Sequence, residues 1–154
     1  MIYFCNIQIN TIYNMIQLAD VYYPMYEDND KMIILVTGGR GSGKSFSTGN
    51  FIERLTFEAF PKHDNPDETI THTILYTRYT MVSANISVIP EMLEKIDLDG
   101  VSKYFKTTRS DVQNLMTGAK IMFRGIHTSS GNQTAKLKSI HGITTFVVDE
   151  AEEW

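Results

Sequence analysis

Residues 31–45 read KMIILVTGGRGSGKS, a short apolar run that passes into a glycine-rich turn and then into helical periodicity. No other stretch restricts the fold as much, because a strand that hands a tight loop to a helix is a unit of a layered α/β protein. Lys31–Thr37 predicts a strand buried on both faces. The spacing of Phe51, Ile52, Leu55 and Ala59 predicts a helix from Lys44 to about residue 59. Between them, Gly38-Gly39-Arg40-Gly41-Ser42-Gly43-Lys44-Ser45 fits G-x-x-x-x-G-K-[ST] without a mismatch. Glycines let a backbone wrap closely around phosphates and turn its N–H groups inward. The helix start aims its positive dipole end at the same place. In such a loop Lys44 would pair with the β- and γ-phosphates of ATP, and the Ser45 hydroxyl would ligate Mg²⁺. A dinucleotide fingerprint fails on spacing, because the third glycine of G-x-G-x-x-G would fall on Lys44 or Phe46.

Downstream, strand and helix patterns alternate. Thr71–Thr77 predicts a second strand centred on Ile74, Leu75 and Tyr76. Val82, Ile86, Ile89, Leu93 and Ile96 keep helical spacing, in a helix that Pro90 should kink or split and Gly100 should end. Residues 104–125 read as short strands around a hairpin turn at Thr117–Gly118, and Thr144–Asp149 reads as a last buried strand. Pro61–Glu68, His127–Ala135 and Tyr22–Asp30 read as polar loops, and Ile9, Ile12, Tyr13 and Ile16 predict a helix over 7–19. The alternation predicts a mostly parallel sheet.

Phe146-Val147-Val148-Asp149-Glu150 supplies the second chemical element. A carboxylate at the end of a buried strand, Asp149, would hold the Mg²⁺ shell; Glu150 beside it would polarise the water that attacks the γ-phosphate. A kinase acting on a small substrate needs no such glutamate, so the pair favours hydrolysis over transfer. Arg40, inside the loop, would reach the γ-phosphate and stabilise developing charge. Arg78 after the second strand reads equally well as a site residue or as surface charge. Arg124, Lys136 and Lys138 read first as solvated. His63, His72, His127 and His141 have no ligand spacing. Tyr22 and Tyr23 are candidates for adenine contact only because they precede the phosphate-loop strand.

Composition narrows the classes. With 154 residues the chain is long enough for one domain with a real core. Its single cysteine, Cys5, excludes an internal disulfide and cysteine-rich zinc sites, and favours a reducing compartment. Residues 1–30 contain four acids and no Lys or Arg, which leaves 14 acids against 14 bases in the remainder. An N-terminal region without positive charge does not read as a signal or transit peptide, and no apolar run nears the roughly 20 residues of a membrane span. No basic stripe argues for nucleic acid.

Taken together, GGRGSGKS (38–45), LYTRYT (75–80), FRGI (123–126), KLKSIHGI (136–143) and FVVDEAEEW (146–154) resemble the ATPase portion of the terminase large subunit of tailed bacteriophages. The resemblance implies a P-loop NTPase three-layer fold of the additional-strand, catalytic-glutamate class, with Arg40 and Glu150 catalytic and Asp149 in the metal shell. It implies an ATP-driven motor that moves double-stranded viral DNA into a procapsid, as a homo-oligomeric ring on the portal ring, with a small terminase subunit, off the membrane and in the host bacterial cytoplasm. Residues 1–30 would be a helical lead-in and 31–154 an incomplete ATPase core, with the nuclease domain expected beyond this chain. In ATPases of that class the strand following the Asp-Glu strand lies between it and the phosphate-loop strand. On that order the chain would be truncated before its sheet is complete and would hydrolyse ATP poorly alone. Two other readings stay open: a helicase, although a DEAD-type enzyme would carry Asp where Glu152 stands, and a nucleotide-binding module without turnover.

Overall fold

A computed structural model describes residues 19–27, 33–62, 65–127 and 140–151. The helix expected over 7–19 lies outside them but for Ala19, as do Lys136, Lys138, His63 and most of the loop expected over 127–135. A 3₁₀ turn, Asp20–Tyr22, leads into the short helix α1 (Pro24–Glu27). Pro24 therefore starts a helix where a loop was expected, since a first helical position needs no N–H. Residues 33–39 run without regular pairing into helix α2 (Lys44–Leu55), which stops short of its expected end near residue 59, where a strand begins. Next come strands β1 (Ala59–Lys62), β2 (Asn65–Thr71) and β3 (Thr73–Arg78).

The following helix comes in three pieces: α3 (Met81–Ser83), a π-helical turn (Ala84–Val88) and α4 (Ile89–Leu98). Pro90 falls in the first turn of α4, where its missing donor is harmless, and the π turn absorbs the mismatch upstream. Gly100, at φ +69°, ends the segment. Strands β4 (Phe105–Thr107), β5 (Asp111–Asn114), β6 (Lys120–Gly125) and β7 (Thr145–Val148) complete the described elements.

The main sheet has the order β4-β5-β6-β3-β7. Strand β3 pairs in parallel with both β6 and β7, while β4, β5 and β6 run as an antiparallel meander. The sheet is thus mixed and not mostly parallel. The tight turns after β4 and β5 can only return a chain antiparallel, whereas parallel pairing needs a long crossover. Pro61–Glu68 also departs from expectation, because it belongs to a β1–β2 hairpin; its polar, proline-bearing sequence carries no strand periodicity.

Ile74 and Tyr76 of β3, Val112 of β5 and Ile121 and Phe123 of β6 point to one face. There they pack against Ile52 and Leu55 of α2 and Met92 and Ile96 of α4. Lys31–Thr37 does not join the sheet as a buried strand: Ile33 and Leu35 are exposed, and residues 31 and 32 are outside the described set. A cavity of about 860 Å³, lined by Ile34, Val36, Phe51, Ile52, Phe146 and Val147 among others, separates that segment from β7. Among the described residues no helix is long and apolar enough to cross a membrane.

Candidate functional site

The loop from Gly38 to Gly43 owes its path to glycine. Gly43 sits at φ +85° as the N-cap of α2, in the left-handed region that costs other residues strain. Gly38 sits at φ +153°, where an added Cβ would lie 2.9 Å from the Ser42 hydroxyl oxygen. No side chain caps α2, so its first amides stay open to an anion. Lys44 turns back along the loop and donates from Nζ to the carbonyls of Gly38 and, at 2.8 Å, Gly39. The ammonium is thereby held at the loop.

Across the cleft, parallel pairing does the positioning. Thr77 of β3 is in register with Val148 of β7, so Arg78 and Asp149 leave the two strands side by side. The Asp149 N–H donates to the Thr77 carbonyl at 3.0 Å. Glu150 follows at φ +52°, the one non-glycine in the left-handed region among the described residues. A carboxylate held in that conformation marks a place where the fold overrides local preference, as it does at functional sites.

Arg78 closes on both acids. Its Nε donates to Glu150 at 3.1 Å and lies 3.8 Å from the Asp149 carboxylate, and another nitrogen pairs with Glu150 as well. A third donor reaches the Ser87 hydroxyl on the π turn. Burial pushes the Asp149 carboxyl above its ordinary range, while Arg78 pulls it back and the neighbouring Glu150 adds to the rise.

One cavity of about 770 Å³ joins the two halves. Its lining includes Gly38, Arg40, Gly41, Ser42, Gly43, Lys44 and Ser45 from the loop, and Asp149 and Glu150 from the end of β7. Gly39 lies in the same loop, its carbonyl on Lys44. Basic loop and acidic strand end, over a hundred residues apart in sequence, thus face one open cleft. A family profile for the phage terminase large subunit matches residues 30–154 of the sequence. The chain belongs to that family. Comparison with curated proteins gave no match.

Terminase large subunits work in phage DNA packaging, and the matched span contains both halves of the cleft. The remaining candidates of this family member divide as follows. Arg40 is an exposed turn residue that lines the cavity. Arg124 is tied to Asp111 at 2.9 Å and to the Ser110 carbonyl, so it braces the β5–β6 hairpin away from the cleft. His72 is half-buried beside Thr144 and Thr145, and burial lowers its proton affinity; His127 stacks on Tyr79. Tyr22 is buried beneath the phosphate loop, whereas Tyr23 is largely exposed. Sequence reading left Arg78 undecided and missed Ser87 altogether: the strand-end position signalled the first, and nothing short of the folded turn signals the second.

Proposed function

We propose that this terminase chain is the ATP-hydrolysing core of a motor that drives double-stranded DNA into a procapsid. The observation that carries the proposal is the single cleft lined by the 38–45 loop on one side and Asp149 and Glu150 on the other. Open helix amides, a lysine and a serine hydroxyl facing two carboxylates form the donor set that a magnesium-nucleotide needs. Ser45 and Asp149 would hold Mg²⁺, with the remaining positions left to phosphate and water. When bound, the ion neutralises phosphate charge. Lys44 would leave the loop carbonyls for the β- and γ-phosphates, and Arg40 would meet charge that develops on the transferred group. Glu150 would take the proton of the attacking water, oriented by Arg78.

The P-loop class with an additional strand and a catalytic glutamate is part of this reading. It is supported by β7 lying beside β3, by the cavity between β7 and residues 34–36, and by the acidic residue that follows Asp149. On the same reading the partners are viral DNA, a portal ring, a small terminase subunit and further copies arranged as a ring in the bacterial cytoplasm.

Binding of Mg-ATP by the chain, followed by calorimetry, tests the core of the proposal together with phosphate release. We expect Lys44→Ala to abolish binding. Glu150→Gln should keep affinity within about twofold while turnover falls at least ~100-fold, the share of a general base. Wild-type protein that ignores ATP would sink the proposal. Binding without turnover in either protein would leave a nucleotide-binding module instead, and equal measurable turnover in both would remove Glu150 from the chemistry.

A further inference from the structure

Tyr22 was read from sequence as a possible adenine contact, but its surroundings point elsewhere. It is 6% exposed and does not line the cleft. Its hydroxyl donates to the Ser42 carbonyl at 2.9 Å, and its ring lies 3.7 Å from where a Cβ on Gly43 would stand. One turn later the Tyr26 hydroxyl donates to the Ser47 carbonyl at 3.1 Å, and the Tyr26 ring meets Phe51 edge-on with the Arg54 guanidinium above it. Two tyrosyl hydroxyls therefore tie the segment 20–27 to the phosphate loop and to the first turn of α2.

Peptide geometry gives the upper tie a consequence. The Ser42 C=O and the Gly43 N–H belong to one planar trans unit and point in opposite directions. A hydroxyl that fixes the carbonyl on the side of Tyr22 fixes the amide on the other side, toward the cleft that Gly43 lines. It also keeps a carbonyl dipole from facing bound phosphate. A flip of this peptide turns φ of Gly43, and a glycine at φ +85° has the freedom to reverse it without such a tie.

We propose that Tyr22 is a positioning residue of the phosphate loop, whose hydroxyl sets the Ser42–Gly43 peptide in its anion-binding orientation. The proposal rests on the reading of residues 38–45 as a nucleotide phosphate site. Losing the tie lets the loop populate orientations that do not bind, and affinity falls by the fraction of loops no longer competent.

Tyr22→Phe keeps the ring and removes only the hydroxyl. Calorimetry with Mg-ATP and, separately, with inorganic tripolyphosphate in Mg²⁺ is the test, with the folded fraction of each protein fixed from its melting curve. Wild type should bind both probes and Lys44→Ala neither. Tyr22→Phe should bind both about five- to tenfold more weakly, the equivalent of one net hydrogen bond. A loss confined to ATP would assign Tyr22 to the base and overturn the proposal. So would affinities equal to wild type, or a loss no greater than the loss of folded protein. Wild type that binds neither probe would instead fail the phosphate-site reading and take this proposal with it.

Discussion

Glu53 of α2 and Asp99, just past the end of α4, lie close enough for their carboxylates to repel. Glu53 is 3% exposed, and burial, reinforced by Asp99, pushes its carboxyl up to about 9. Asp99 is raised as well, and Lys95, over the Phe46 ring, loses proton affinity through burial. Among the described residues, neither polar atom of the buried Asn50 amide has a protein partner. The folded state binds a proton on Glu53 that the unfolded chain releases near 4.5. Its contribution to stability is therefore complete below pH 4.5 and is lost as pH rises toward 9, at up to about 1.4 kcal/mol per pH unit. We expect the unfolding free energy from urea titrations to fall from pH 5 to pH 9 in wild type and to fall less steeply in Glu53→Gln. Equal slopes would show that the proton is not held. Nothing in the sequence marks this pair. That Lys44, Ser45, Asp149 and Glu150 line one cavity was foreseeable, because phosphate chemistry would place those residue types at strand and helix ends. Glu53, Tyr22 and Ser87 matter through partners 46, 20 and 9 residues away that only the fold supplies.

Of the described glycines, the one with the least room for a side chain is at the end of β6. A Cβ on Gly125 would stand 2.2 Å from the Met81 backbone nitrogen and 2.7 Å from the Thr80 carbonyl carbon. The strand thus touches the backbone where α3 begins, and Thr80 caps that start by accepting from the Ser83 N–H. From there the chain enters the π turn that brings Ser87 to Arg78. Backbone cannot yield as a side-chain tip can, so Gly125→Ala must move α3 or the end of β6. We expect it to cost roughly 2–4 kcal/mol by denaturant unfolding, as severe overpacking does. A loss below about 0.5 kcal/mol would show that the two elements separate freely. Sequence reading placed Gly125 in a run characteristic of the resemblance but held no reason for a glycine there. Element positions were legible where a period was strong, as in β3 and α4. The β1–β2 hairpin and the antiparallel half of the sheet were not, because pairing direction follows from turn length and register and leaves no periodic trace.

For the whole molecule, the feature with the largest physical consequence is the space beside β7. Among the described residues β7 pairs on one side only, and Phe146 is 57% exposed. Facing it across the cavity, Ile34, 42% exposed, and Val36 belong to a segment with no strand partner among the described residues. Two apolar, unpaired stretches of backbone flank one gap, and such edges recruit whatever extended chain is at hand. A strand seated there would satisfy both edges, the arrangement expected from the strand order of glutamate-bearing P-loop ATPases. Where no such strand is supplied, a second copy of the chain is the available substitute. We therefore expect the 154-residue chain to associate in sedimentation velocity as its concentration approaches about 100 µM, the range in which exposed edges drive aggregation. Placing a lysine on each edge, Ile34→Lys with Phe146→Lys, should restore a monomer, because a buried ammonium cannot be accommodated in a pairing interface. Neither Ile34 nor Phe146 lines the cleft that holds the basic loop and the acids. Association that persists unchanged in the double variant would move the sticky surface elsewhere, and a wild-type chain that stays monomeric would mean the gap is already filled.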